Sequence, residues 1–265
     1  LKQGQGDAAL QAVMGEDTPV VLLDVMDEET LAEAGRLVWE HRGPGVFSAS
    51  SSGLEYALVA HWRKSGLLPD VPALPKTRPV SAIAAVSGSC SPVTAAQIDW
   101  AGRHGFVTER LNLEAVLQTN QREAEIERVV SVAVRALAEG RSPLIYSAAG
   151  PDDPAVTGFA DLAQAVGHSL PGANERVGQA LAETMRQLVL RSKVRRLAIA
   201  GGDSSGAVAG ALDITALTLS AQLVPGAPLC RVWSDTAGMD GMEVVLKGGQ
   251  MGQADFFGRV LQGTS

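Results

Sequence analysis

The chain has 265 residues, 46% hydrophobic and 19% charged, which suits one large or two small globular domains and excludes a disordered chain. Its formal net charge is −7 with scattered basic residues, which argues against a nucleic-acid partner but not against small anions, because backbone amides bind phosphate without a basic field. Two distant cysteines, Cys90 and Cys230, no apolar run of membrane-spanning length and no signal peptide lead us to expect a cytoplasmic protein with no membrane partner and no disulfide framework.

Leu1-Lys2-Gln3-Gly4-Gln5-Gly6 reads as the middle of a longer sequence. Pro19–Val25 is a short Val/Leu run and is expected to be a buried strand. Asp27 offers an N-cap to a helix carrying Leu31, Ala34, Leu37 and Val38 on one face and ending near Gly43. Gly45–Ala49 is expected as a second strand. Ser50-Ser51-Ser52-Gly53 then turns into a helix with Leu54, Ala57, Leu58 and Trp62. The stretch from Ser65 to Pro79 carries four prolines, which exclude helix and central strand alike, so residues 63–77 are read as a linker between a domain at 1–62 and one at 78–265.

Beyond the linker, Val80–Val86 reads as a strand. Ser91 is a plausible cap, with Pro92 at the first position of a helix that runs to about Arg103 and stops at Gly105. Phe106–Glu109 reads as a short strand and Gln121–Glu139 as an amphipathic helix. Pro143–Ala148 is expected as a strand, followed by a turn and two helices, the second carrying Val177, Leu181, Met185, Leu188 and Val189. Arg196–Ala200 reads as a strand, with a helix after it to about Leu219. Pro225 to Trp233 is loop then strand, Met242–Leu246 the last strand, and a short helix closes the chain. Strands alternating with helices imply an α/β fold, helices layered on a largely parallel sheet.

Three glycine- and serine-rich turns follow predicted strands: Val86-Ser87-Gly88-Ser89-Cys90-Ser91-Pro92, Gly201-Gly202-Asp203-Ser204-Ser205-Gly206 and Lys247-Gly248-Gly249-Gln250-Met251-Gly252. Bare N–H groups at a helix start form an anion site, and three such turns in one α/β protein point to nucleotide phosphates. The first two also have a plainer reading, as strand-to-helix turns with a serine cap. Neither a P-loop nor a Rossmann fingerprint is present. Lys247 is read more readily as a solvated strand-end lysine than as a phosphate contact. Cys90 reads as a small buried residue rather than a nucleophile. His41, His61, His104 and His168 are isolated from one another and read as surface or packing residues, so no metal site of the protein's own is assigned. Asp152-Asp153, between prolines, is read as turn chemistry.

Together the three turns, with Val93-Thr94-Ala95-Ala96-Gln97-Ile98 after the first and Asp255-Phe256-Phe257 after the third, resemble the four-carbon acid sugar kinases. Gly43 to Trp62 resembles the end of that family's N-terminal substrate domain, of which residues 1–62 would be a remnant. The resemblance implies an ATP-dependent kinase, or its ATP-binding portion, acting with Mg²⁺ on threonate, erythronate or 3-oxo-tetronate. It places the ATP contacts on Ser87, Ser89 and Ser91, on Gly201, Gly202, Asp203 and Ser204, and on Gly248, Gly249 and Gly252. Two departures stand out. Gly248, Gln250 and Met251 replace the usual Ser, Asn and Phe of the third turn, and the family's Asp-Asp-x-Thr-Gly substrate motif does not occur in this sequence. No catalytic residue is therefore assigned, and this chain alone is expected to be inactive as a kinase. A non-catalytic nucleotide-binding module, or another α/β enzyme holding a phosphorylated metabolite at the same turns, are the alternatives. Oligomeric state is left open, a homo-oligomer included.

Overall fold

The computed structural model describes residues 1–14, 19–69 and 77–263. The chain divides into two compact units, Leu1–Ala73 and Leu74–Ser265.

The first unit contains α1 (Gly6–Val13), α2 (Glu28–Glu40) and α3 (Gly53–Lys64). Asp27 caps α2 through a reciprocal box with Thr30, whose N–H donates to the Asp27 carboxylate at 3.0 Å. Gly35 lets α2 and α3 approach closely: a Cβ there would stand 1.9 Å from the carbonyl oxygen of Ala57. Trp39 and Trp62 meet edge to face at 5.1 Å. The strands expected at Pro19–Val25 and Gly45–Ala49 do not form. Both segments have strand-like composition, but a strand needs a hydrogen-bonded neighbour, and none exists for them among the described residues. Their apolar side chains are exposed accordingly, Val20 at 95% and Phe47 at 89%. Residues 70–76, which carry most of the prolines read as linker, lie outside the described residues.

The second unit runs β1 (Ala84–Ser87), α4 (Pro92–Arg103), β2 (Val107–Arg110), α5 (Leu113–Leu117), α6 (Arg122–Ala138), β3 (Pro143–Tyr146), α7 (Pro154–Thr157), α8 (Phe159–Ala165), α9 (Leu170–Arg191), β4 (Arg196–Ala200), α10 (Gly202–Ala211), β5 (Ala216–Val224), β6 (Ala227–Trp233), β7 (Glu243–Lys247) and α11 (Phe256–Gln262). Among the described residues the strands form one sheet in the order β2-β3-β1-β4-β7-β6-β5. The first five neighbours are parallel, and β6 and β5 join antiparallel. Central strands are buried on both faces, as a parallel sheet requires. Val86, Leu197 and Ile199 pack under α6 and α9. Ala85, Ala198 and Ala200 pack under α4 and α11, against Ile98, Phe256 and Phe257.

Three expectations need correction. The helix after β4 ends at Ala211 instead of near Leu219. Asp213 reverses the chain at φ 48°, and Ala216–Val224 becomes β5. Pro225-Gly226, with φ 75° at the glycine, closes a tight hairpin that pairs Val224 with Ala227. Hairpin pairing outweighs the helical tendency of the Ala, Leu and Gln residues in this segment. Three helices, not two, separate β3 from β4, because Asp153 caps the extra single turn α7. The short helix α5, capped by Asn112, adds an element between β2 and α6 that the sequence pattern does not announce.

Arg196 is 2% exposed at the start of β4. It donates to Glu243 at 2.8 Å and to the carbonyls of Val260 and Arg78 at 3.0 Å each, joining two strands, α11 and the chain leading to β1. We expect Arg196→Ala to destabilise the second unit by about 3 kcal/mol, since it strips a buried network of its donor. A urea midpoint unchanged from wild type would show that Arg196 carries no such weight.

Candidate functional site

The turns that follow β1, β4 and β7 meet because those strands are neighbours and run parallel, so their C-terminal ends share one edge. The backbone continues the pairing past the strand ends: Gly88 N–H donates to Ala200 at 3.0 Å, and Gly201 N–H to Lys247 at 3.0 Å.

The turns interlock at distances only glycine permits. A Cβ on Gly88 would stand 2.1 Å from Ser204 Oγ, and one on Gly249 2.6 Å from Ser89 Oγ. Gly201, at φ 117°, has Ser89 N only 3.3 Å from its Cβ position. Gly252, at φ 82°, faces Gln97, whose amide donates to the carbonyls of Met251 and Gln253 at 3.0 Å each. Gly202 differs: its Cβ position has nothing within 4 Å.

Hydroxyls bind the first turn to the third. Ser91 caps α4 by accepting from Thr94 N at 3.0 Å, and its own hydroxyl donates to the Gly249 carbonyl. Thr94 Oγ1 also reaches Gly249 O, at 2.9 Å, and lies 3.0 Å from Ser89 Oγ. Ser87 is fully buried, and its hydroxyl accepts from Ser89 N at 3.4 Å. The start of α10 is the contrast: no side chain caps it, so the N–H groups of Gly202, Asp203 and Ser204 open the helix bare. Ser205 N–H and hydroxyl return to the Gly201 carbonyl.

Lys247 is the chief correction. It is 1% exposed instead of solvated, and burial alone pushes its pKa down to about 8. Its ammonium donates to Thr94 Oγ1 at 3.0 Å. Thr94 is likewise outside the residues that the sequence assigns to the site. The signal in the sequence was its place three residues after the Ser91 cap, where the side chain turns back over the helix start.

Cys90 is also corrected: it is exposed. Partial burial of the thiol, and the nearby Asp153, raise its pKa, so it is not an activated nucleophile. Asp153 acts as turn chemistry. Arg110 grips it with two hydrogen bonds, at 2.8 and 2.6 Å, while the N–H groups of Ala149 and Ala155 donate to it. With Arg110 the main cause, its pKa falls to about 2. The histidines find separate partners: His104 stacks on Trp100 at 3.8 Å, and His168 Nε2 lies 2.9 Å from the Leu117 carbonyl. Among the described residues no three His, Cys, Asp or Glu side chains gather as a metal cluster, and no helix is long and apolar enough to cross a membrane.

A glycine packed against a hydroxyl and a glycine facing open space should respond oppositely to one methyl group. Gly88→Ala is expected to cost about 1–3 kcal/mol through overpacking against Ser204 and Leu181. Gly206→Ala, in α10 with nothing within 4 Å of its Cβ position, is expected to gain about 0.4–1 kcal/mol. Chemical denaturation of both variants checks this, and equal effects would contradict the close approach at Gly88.

Residues 84–257 match a family model described as a nucleotide-binding C-terminal domain. The 3-oxo-isoapionate kinase of Paraburkholderia graminis is 61% identical over 254 residues, covering 96% of this chain and 54% of its own length. The 3-oxo-tetronate kinase of Methylobacterium radiotolerans is 32% identical over 256 residues, covering 96% and 56%. The chain thus spans about half the length of the curated relatives it matches. A Salmonella typhimurium structure described as a putative tRNA synthase superposes with a TM-score of 0.71 at 23% identity, covering 97% of this chain and 56% of its own, a likeness of fold.

Proposed function

Because this chain belongs to the four-carbon acid sugar kinase family, whose nucleotide-binding C-terminal domain it carries, we propose that it holds ATP at the shared edge of β1, β4 and β7 and serves the phosphorylation of a sugar acid. The observation that carries this is the convergence of three turns on one bare helix start. The N–H groups of Gly202, Asp203 and Ser204 would face the phosphates, supported by the dipole of α10. The third turn would approach through the peptides of Gly248 and Gly249. Gly252 and the serines of the first turn would act as the frame that sets this geometry, since Ser87, Ser89 and Ser91 spend their hydrogen bonds on one another and on Gly249.

These residues fit a polyphosphate. The cradle is made of glycines whose Cβ positions are blocked by the neighbouring turns, while the space before Gly202 is open. ATP would supply the transferred phosphoryl group. Mg²⁺ would be held mainly by phosphate oxygens, with Asp203 the one carboxylate on the three turns. What the turns offer is positioning and neutralisation of charge, the main requirements of phosphoryl transfer. They carry no second acidic group to relieve an acceptor hydroxyl of its proton. We therefore assign the acceptor and its base to residues outside these turns, and infer that this chain alone binds nucleotide without transferring its phosphoryl group.

The relative named for 3-oxo-isoapionate is far more similar to this chain than the one named for 3-oxo-tetronate, so 3-oxo-isoapionate heads the acceptors to test.

Two measurements check this reading. ATP or ADP with Mg²⁺ is expected to raise the melting temperature, and Gly202→Val to weaken binding at least tenfold, about 1.4 kcal/mol, while still folding. A Gly202→Val affinity within threefold of wild type would remove α10 from the site. In phosphate-transfer assays with 3-oxo-isoapionate, 3-oxo-tetronate, D-threonate, L-threonate and D-erythronate, this chain is expected to give no turnover beside the full-length Paraburkholderia graminis kinase. Comparable turnover would place acceptor site and base within these 265 residues.

A further inference from the structure

Lys247 ends β7 with 1% of its surface exposed, so its ammonium has lost its hydration. Among the described residues no carboxylate pairs with it. Asp99 pairs with Arg103 on α4, Asp255 with Arg259 on α11, Glu243 with Arg196 at the far ends of β7 and β4, and Arg231 of β6 with Asp240. Asp203 at the start of α10 is exposed. The Phe256 ring, 5.5 Å away, adds a weak cation–π contact.

An ammonium has three N–H donors. Here they meet three neutral oxygens: Thr94 Oγ1 at 3.0 Å, the Gly248 carbonyl at 3.1 Å and the Gly249 carbonyl at 3.3 Å. No donor is left for a ligand, so any effect of Lys247 must pass through the groups it holds. In a trans peptide the N–H points opposite to the preceding C=O, and no cis peptide occurs among the described residues. With both carbonyls drawn towards Lys247, the N–H groups of Gly249 and Gln250 point away from it. Neither donates to a backbone carbonyl among the described residues.

We propose that Lys247 is the positioning residue of the third turn, drawing in the carbonyls of Gly248 and Gly249 so that the N–H groups of Gly249 and Gln250 are presented to a nucleotide phosphate, whose charge completes the buried ammonium. This rests on the nucleotide reading above. A neutral amine has two donors and a lone pair, so one of the three oxygens would lose its partner and the turn would slacken. The charged lysine and the bound anion therefore favour each other, and binding draws a proton onto Lys247 whenever the free protein has lost it. With its pKa near 8 in the free chain, that exchange falls in an accessible range.

The test is calorimetric titration with MgADP from pH 7 to 9.5, each pH run in two buffers of different ionisation enthalpy. Wild type is expected to take up about half a proton per nucleotide between pH 8 and 9, with affinity falling about sevenfold from pH 7 to 9.5 towards the tenfold limit set by an uncharged side chain. Lys247→Met is expected to bind about tenfold more weakly at pH 7, with no uptake and no slope. Thr94→Val, which removes one of the three oxygens, is expected to move the break below pH 8, and keeps the test decisive should Lys247→Met not fold. Wild-type binding that is independent of pH and buffer would overturn the role of Lys247 and leave the nucleotide reading standing. Undiminished uptake in Lys247→Met would do the same. Failure of wild type to bind MgADP at any pH would overturn the nucleotide reading itself, and this proposal with it.

Discussion

At Gly88 there is no room for a side chain, and the C-terminal edge of the sheet is organised around that fact. Its Cβ position lies 2.1 Å from Ser204 Oγ, so the first turn can sit against the start of α10 only with hydrogen in place of carbon. That approach brings Ser89 under Gly249 and over Gly201. The parallel order β1-β4-β7 sets the strand ends side by side, and the close contact turns three separate loops into one surface.

The electrostatics of this surface run against the protein's net charge. A chain at −7 presents an anion-compatible edge by means of peptide dipoles, the uncapped start of α10 above all. Fixed dipoles need no reorganisation when an anion arrives, and their field falls away within a turn of helix. The hydroxyls contribute indirectly: Ser91 and the buried Thr94 are committed to the cap of α4 and to the Gly249 carbonyl. They hold the turns together, and in the proposed reading the face offered to a ligand is backbone.

Much of this was legible in the sequence because it rests on local chemistry. Ser91-Pro92 announces a helix start, and the structure has Ser91 as N-cap with Pro92 at the first position. Asp27 does the same for α2. The glycine turns mark strand ends wherever they occur. What failed depends on partners. Pro19–Val25 has the composition of a strand, yet no neighbour within the described residues pairs with it. Ala216–Leu219 looks like the continuation of a helix, yet its fate is set by the hairpin with β6. Lys247 reads as a solvated strand end until β7 is known to lie inside the sheet with α11 over it. Burial of a charge is a property of the assembled fold, and neither spacing nor composition encodes it.

The long reach of these contacts has a kinetic corollary. Thr94 and Lys247 are 153 positions apart in the chain, and Ser91 and Gly249 are 158 apart. β1 must wait for β4 and β7 to be made before the edge exists, and such distant closures cost entropy before any contact repays it. Helices such as α6 and α9 can form from local signals alone. This edge is consequently expected among the last features to form in refolding, with recovery of secondary structure after denaturation running ahead of recovery of the edge where the turns meet.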